Sequence, residues 1–311
     1  MARRILLDCD PGHDDAIAIL LAAGSPDLEL AAITTVSGNQ AIDKVTRNAL
    51  AIAELAGLDD VPIAQGADRP LVRRVEYAAD IHGDSGLDGP ELPEPRLELD
   101  PRHAVTVIVE EVMASEPGTL TLVPTGPLTN IALALRLEPR IVDRVREVVF
   151  MGGGVHAGNW SATSEFNVVA DPEAAHIVVN AGWPITMVGL DATHQALATP
   201  EIRERLAAVG TRSARVVGEL LDFYGGTYLA TQGFSSPPVH DPVAVAYVID
   251  PSLLDVRAAP LDVELRGELT VGMTVADLRT PAPEGTSTSV ALAVDNPRFW
   301  AHVEDALSRL P

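Results

Sequence analysis

The sequence predicts an α/β protein on an open, mostly parallel, doubly wound (Rossmann-like) sheet, with a few antiparallel strands near the C-terminus. Two observations lead there. Short runs that are apolar on both faces alternate with longer stretches of helical period, which marks a sheet covered on both sides. The alternation also continues across the first two of three long irregular segments, and none of the three has linker composition.

Taken in order, residues 5–7 read as the first buried strand and 16–23 as the apolar helix behind it. Residues 30–36 form the next strand, and 41–56 have helical spacing closed by Gly57, a residue suited to a helix end. Residues 120–123 repeat the strand pattern before a helix at 128–137. Another strand at 148–150 precedes a helix from about Pro172, and 185–188 is a further strand. Residues 256–275 and 289–294 then read as shorter alternating strands, antiparallel additions, before a final helix from about Pro297. The stretches 68–102, 152–170 and 225–238 show no period and read as long loops of the kind that cover active sites. One domain, 1–311, is therefore expected, although length alone would allow two.

Composition narrows the function. With 22 basic against 44 acidic residues the formal charge is −22, and 47% of the chain is hydrophobic, too much for a disordered protein. Lys44 is the only lysine, so no basic stripe exists to neutralise phosphates, which argues against a nucleic-acid partner. The single cysteine, Cys9, cannot form an internal disulfide and fits a reducing compartment. The opening Met1-Ala2-Arg3-Arg4 has the charge of a secretory leader, but the apolar run behind it stops at Asp8, short of the roughly 7–15 residues required. No segment approaches about 18 uninterrupted apolar residues, so no membrane role is expected. The expectation is a cytoplasmic protein acting on a small molecule.

The strongest local signal is Asp8-Cys9-Asp10-Pro11-Gly12-His13-Asp14-Asp15, directly after a buried strand and before a helix. Asp favours helix caps and turns, so one of these alone would be unremarked as structural. Together they repel one another at a buried strand end unless a cation neutralises them. With only oxygen ligands nearby the cation should be hard, Ca²⁺ before Mg²⁺. Asp14 and Asp15 also fall in the first turn of the helix, where its dipole favours anions. A second signal runs from Gly152 through Asn159 and Trp160 to Glu165-Phe166-Asn167, again after an apolar strand. Its glycines let backbone approach a ligand, and its amides and carboxylate suit sugar hydroxyls. The third is His240-Asp241-Pro242, where Asp241 reads as a helix cap and His240 has the side chain suited to proton transfer near neutral pH. Thr125-Gly126-Pro127 and Asn39 lie beyond two further strand ends. Polar residues beyond several strand ends converge on one crevice.

These residues resemble those of the nucleoside hydrolases, the inosine/uridine-preferring N-ribohydrolase type. Asp10-Pro11-Gly12-His13-Asp14-Asp15-Ala16 is similar to the family signature DPGxDDA, with His13 in the variable place. The segments at Asn39, His82-Gly83, Thr125 to Asn130, Asn159 to Asn167 and His240-Asp241-Pro242 follow in the family's order. The resemblance spans nearly the whole chain and implies the nucleoside hydrolase fold. It also implies calcium-dependent hydrolysis of the N-glycosidic bond of ribonucleosides to free base and ribose. It implies a Ca²⁺ site of Asp10, Asp15, the Thr125 carbonyl and Asp241, with Asp10 the base that activates a calcium-bound water. Asp14 and Asn167 would hold the ribose 2′- and 3′-hydroxyls with Asn39 and Asp241 assisting, and Asn159 and Glu165 the 5′-hydroxyl with Met151 close by. His82 and His240 would face the base, His240 as a candidate acid, and Asp8 would support the site. Tyr224, Tyr228 and Gln232 are the local candidates for the base pocket. The base preference stays open between purine and pyrimidine together and pyrimidine alone. A homodimer or homotetramer is implied too.

Two alternatives compete. The same scaffold without catalysis would be a nucleoside or ribose sensor, which the presence of Asp10, Asp15 and Asp241 disfavours. Strand-Asp8-x-Asp10 also resembles the start of a Mg²⁺-dependent haloacid-dehalogenase phosphohydrolase. That chemistry needs an active-site lysine, and Lys44 stands in the second helical stretch.

Overall fold

The computed structural model describes residues 2–311; Met1, counted above with the opening segment, lies outside them. The first half of the chain runs β1 (Arg3–Cys9), α1 (His13–Gly24), β2 (Leu28–Thr35), α2 (Ile42–Ala56), β3 (Ile63–Gln65), α3 (Ala79–His82), α4 (Ala104–Ala114), β4 (Leu120–Pro124), α5 (Thr129–Leu137) and β5 (Glu147–Met151). The second half runs α6 (Phe166–Ala170), α7 (Pro172–Val179), β6 (Ile185–Val188), α8 (Leu190–Thr193), α9 (Pro200–Val209), α10 (Arg212–Gln232) and α11 (Asp241–Ile249). It ends with β7 (Leu254–Ala258), β8 (Leu261–Val263), β9 (Thr274–Ala276), β10 (Thr288–Val294) and α12 (Asn296–Ser308).

Eight strands form one sheet in the order β3-β2-β1-β4-β5-β6-β10-β7, all parallel except β7, which runs antiparallel to β10 at the edge. Successive side chains of β1 feed opposite faces, as the pleat requires. Ile5, Leu7 and Cys9 join the core beneath α1, α2, α11 and α12, while Leu6 joins the core beneath α4, α5 and α7. Helix α1 is apolar nearly all round because it lies between the sheet and the helices α11 and α12. Helix α2 ends as its sequence requires, on Gly57 at φ 73°.

The structure departs from the sequence reading in several places. Residues 289–294 belong to β10, which pairs parallel with β6 and meets an antiparallel neighbour only on its other side. The remaining antiparallel pair, β8 and β9, forms a separate ribbon. The loop expected at 225–238 begins later: α10 continues through Gly225 and Gly226 to Gln232. Its buried stripe, Val217, Leu220, Leu221, Tyr224 and Tyr228, keeps helical spacing across the glycines, and packing outweighs their cost of about 1 kcal/mol each. The irregular stretches 68–102 and 152–170 hold the short helices α3 and α6. Asp241 is the first residue of α11 rather than its cap, which is His240.

Candidate active site

The strand order reverses between β1 and β4, and the crevice outside the carboxyl ends of these strands is where open α/β sheets bind ligands. Asp8 pairs with Pro124, and the Thr125 N–H donates to the Asp8 carbonyl at 2.7 Å. The residues just beyond, Asp10 and Thr125-Gly126, therefore face each other. A Cβ at Gly126 or at Gly38 would overlap the Asp10 carboxylate, so two glycines form its cradle. The loop after β2 brings Asn39, whose backbone N–H donates to Asp10 Oδ2 at 2.7 Å and whose side-chain amide donates to the Asp10 carbonyl at 3.1 Å.

Four buried carboxylates meet here. Asp15 reaches back to cap α1, accepting from the Gly12 N–H at 3.0 Å, and also accepts from the Thr125 hydroxyl at 2.8 Å. Asp14 accepts from the His240 N–H at 3.1 Å. Asp14, Asp15 and Asp241 each present an oxygen, and the three oxygens lie within 4.8 Å of one another. No lysine or arginine pairs with any of the four among the described residues. Burial first, then the charge of Asp15, raises the Asp10 carboxyl well above its usual range. Burial and the charge of Asp14 push Asp15 up to about 7, and burial with Asp14, Asp15 and Asp10 raises Asp241. Asp10 Oδ1 is buried without a hydrogen-bond partner. An all-oxygen, net-negative set with an orphaned acceptor fits a hard divalent cation, which would replace the missing counter-charge.

The expected metal quartet is brought together only in part. Asp15 and Asp241 stand in the close trio with Asp14, while Asp10 lies beside it. Asp10 is only 1% exposed, and neither it nor Asp15 lines the cavity above. The Thr125 carbonyl oxygen already accepts from the Asn167 amide at 2.7 Å.

The cavity measures about 240 Å³, room for a small polar molecule and not for a polymer. Asp14, Asn39, Thr125, Met151, Asn159, Trp160, Glu165, Asn167 and Asp241 all line it. Glu165 caps α6, accepting from the Asn167, Gly153 and Val168 N–H groups at 2.9, 2.8 and 3.2 Å, and burial pushes its carboxyl up to about 7. Asn159 accepts from the Phe166 N–H at 3.0 Å, which ties the loop to α6.

Aromatic and histidine side chains complete the lining. His82, the last residue of α3, sits on the cavity wall with its Nδ1 at 3.2 Å from the His13 N–H. Tyr224 and Tyr228, one turn apart on α10, meet edge to face at 4.7 Å. His240 is held from both ring nitrogens: Nδ1 by the Thr193 hydroxyl at 2.8 Å and Nε2 by the Tyr228 hydroxyl at 2.7 Å. Burial lowers both His82 and His240 to about 3, so each is neutral at physiological pH.

Of the side chains expected at the site, all but Asp8, Asp10 and Asp15 reach this one cavity. Asp8 lies behind it, buried and bonded to Thr34 at 2.6 Å and Asn130 at 2.8 Å. Sequence reasoning missed Thr193 and His13. Thr193 is 47 positions from the histidine it fixes, and no local pattern reports it. His13 stacks on Tyr224 with ring centres 5.3 Å apart, and its place inside the signature was the available signal. The ring centre of His194 also lies 5.7 Å from that of His240. Lys44 donates to Gln40 at 3.4 Å and to the Asp84 carbonyl, and to none of the clustered carboxylates, so the phosphohydrolase alternative lacks its cation.

A family model described as inosine-uridine preferring nucleoside hydrolase matches residues 5–301. The chain is 57% identical to the inosine-uridine preferring nucleoside hydrolase of Crithidia fasciculata, over 100% of this chain and 99% of that protein. It is 44% identical to the pyrimidine-specific ribonucleoside hydrolase RihA of Shewanella sp. (strain MR-7), over 99% and 97% respectively. Among solved structures, the purine-preferring ribonucleoside hydrolase from Gardnerella vaginalis superposes with a TM-score of 0.92 at 35% identity, covering 98% of both chains.

Proposed function

The chain belongs to the inosine-uridine preferring nucleoside hydrolase family and is a ribonucleoside hydrolase, and on that premise we propose that it is calcium-dependent and cleaves purine and pyrimidine ribonucleosides alike. The C1′–N bond of the nucleoside breaks, a C1′–O bond to water forms, and the products are ribose and the free base. The observation that carries the reading is the buried, uncompensated carboxylate cluster, with its orphaned Asp10 oxygen, beside a cavity lined with hydroxyl-binding groups.

Asp10, Asp15, Asp241 and the Thr125 carbonyl would hold the cation. When bound, calcium lowers the pKa of water and orients it. Asp10 takes the proton from the attacking water, for which its unbonded Oδ1 is available. Asp14, Asn167, Asn39 and Asp241 hold the 2′- and 3′-hydroxyls, and Asn159 and Glu165 the 5′-hydroxyl beside Met151. The same carboxylates stabilise the positive charge that develops on the ribosyl ring as the glycosidic bond opens. At the base end His82 faces the ring. The departing base would take its proton from the hydrogen-bonded pair of Tyr228 and the neutral His240, through a neutral O–H or N–H donor. Residues 1–311 acting as one catalytic unit, in a cytoplasmic homodimer or homotetramer, belong to the same proposal on the strength of the family resemblance.

The test is release of reducing sugar from inosine, uridine, cytidine and adenosine, with calcium and after chelation. Calcium-dependent release from inosine and uridine is expected. Release unaffected by complete chelation would remove the calcium assignment. Binding of nucleosides without any release would replace the enzyme by the sensor.

A further inference from the structure

A second cavity, of about 380 Å³, adjoins the first, and among the described residues the two share only Trp160 and Phe166 in their linings. Their rings, 5.3 Å apart and tilted by 54°, form the partition between the two spaces. Trp160 is 44% exposed, an unusual placement for the largest apolar side chain. Its backbone is nonetheless held firmly. The N–H groups of Asn159, Trp160 and Ser161 all converge on the Ser164 carbonyl at 3.1–3.2 Å, and the Ser164 hydroxyl donates to the Val271 carbonyl at 2.7 Å. A fixed backbone thus presents a half-exposed indole that lines both cavities. On the proposed reading, the neighbouring residues Asn159 and Glu165 receive the 5′ end of the sugar, so the indole stands where a 5′-substituent would project.

We propose that Trp160 is the specificity-determining wall at the sugar 5′ end, and that the second cavity is a latent subsite for a 5′-substituent. With the indole in place, only nucleosides with a small 5′ group fit. With the indole removed, a neutral 5′-substituent passes Phe166 into the space bounded by Val169, Ala170, Leu269 and Val271. A neutral group is the one the lining suits. Glu165 is buried beside the passage, and Glu76 and Glu268 lie beyond it, which disfavours a phosphate despite Arg73 and Arg74. Arg73 is itself already paired with Glu173 at 2.8 Å. This inference rests on the nucleoside reading of the first cavity.

The experiment compares kcat/KM for inosine, 5′-deoxyinosine and 5′-deoxy-5′-methylthioinosine in the wild type, Trp160→Ala and Trp160→Phe. The ratio of the methylthio to the deoxy substrate isolates bulk from loss of the hydroxyl and cancels any general damage to the loop. A group of this size is worth roughly tenfold or more in a fitted apolar site. We expect a low ratio in the wild type, a rise of at least about tenfold in Trp160→Ala, and a ratio near the wild-type value in Trp160→Phe. In Trp160→Ala, adding Ala170→Phe, a position that lines the second cavity and not the first, should reverse the gain. A ratio unchanged by Trp160→Ala, with inosine still hydrolysed, overturns the wall alone. Failure of the wild type to hydrolyse inosine overturns the nucleoside reading and the wall with it.

Discussion

At the scale of single residues, the site sets buried charge against position. Asp10 keeps one oxygen bonded to the Asn39 N–H and the other bare, so its side chain is held for chemistry at a cost in stability. Asp10→Asn retains the size and the accepted hydrogen bond but cannot take a proton. It should fold, melt no lower than the wild type in chelator, and lose about 10²–10⁴ in kcat. Near-normal kcat in that variant would move the base elsewhere. Asn167 does a different job, since its amide donates to the Thr125 and Met151 carbonyls at 2.7 and 3.2 Å while facing the cavity. Asn167→Ala should lower kcat/KM by roughly 10- to 100-fold, the worth of a hydrogen bond or two. Steady-state kinetics with inosine unchanged by that substitution would show that the ribose lies elsewhere.

At the scale of elements, α10 decides the aromatic lining of the cavity. Tyr228 reaches His240, with Tyr224 packed against it, only because the helix runs unbroken through Gly225 and Gly226, where the sequence alone suggests a loop. Gly226 is exposed, and a Cβ there would meet nothing within 4 Å. Gly226→Ala should therefore stabilise the protein by about 0.5–1 kcal/mol, raising the melting temperature by roughly 1–3 °C. A lower melting temperature would show that α10 needs the glycine's freedom at that turn. Helix α6 makes the complementary point. It has five residues, and it is Glu165, taking three backbone N–H groups, that fixes both its start and the adjoining cavity lining.

At the scale of the whole molecule, the sheet concentrates acid where no protein cation can answer it. Asp15 and Glu165 both titrate at about 7 in the fold, against about 4 in the unfolded chain. The folded protein therefore holds more protons than the unfolded one between these values, and without metal its stability should fall as pH rises from about 4 to 7. A cation binds the deprotonated carboxylates, so its stabilising effect should grow over the same window. Melting in calcium and in chelator should accordingly differ little at pH 5 and substantially at pH 8. A gap independent of pH would mean that these carboxylates do not share the metal's charge.

The sequence by itself determined the sheet's class, most of its parallel strands, the acidic signature after β1 and the family. These depend on local period and on motifs of contiguous residues, which need no tertiary contact to be read. It also named the polar residues that meet at the crevice, because most of them follow a strand end and a parallel sheet gathers such ends on one side, although His240 and Asp241 follow α10 instead. Tertiary structure alone decided the rest. It carried α10 through two glycines, because the buried face of a helix outweighs a weak local preference. It turned β10 parallel to β6, because strand direction depends on how a long crossover returns to the sheet. It set Thr193 and Tyr228 against the two nitrogens of His240, and Trp160 between two cavities. Those contacts join residues far apart in the chain or depend on where an element lies, and no local pattern of side chains records the distance that folding closes.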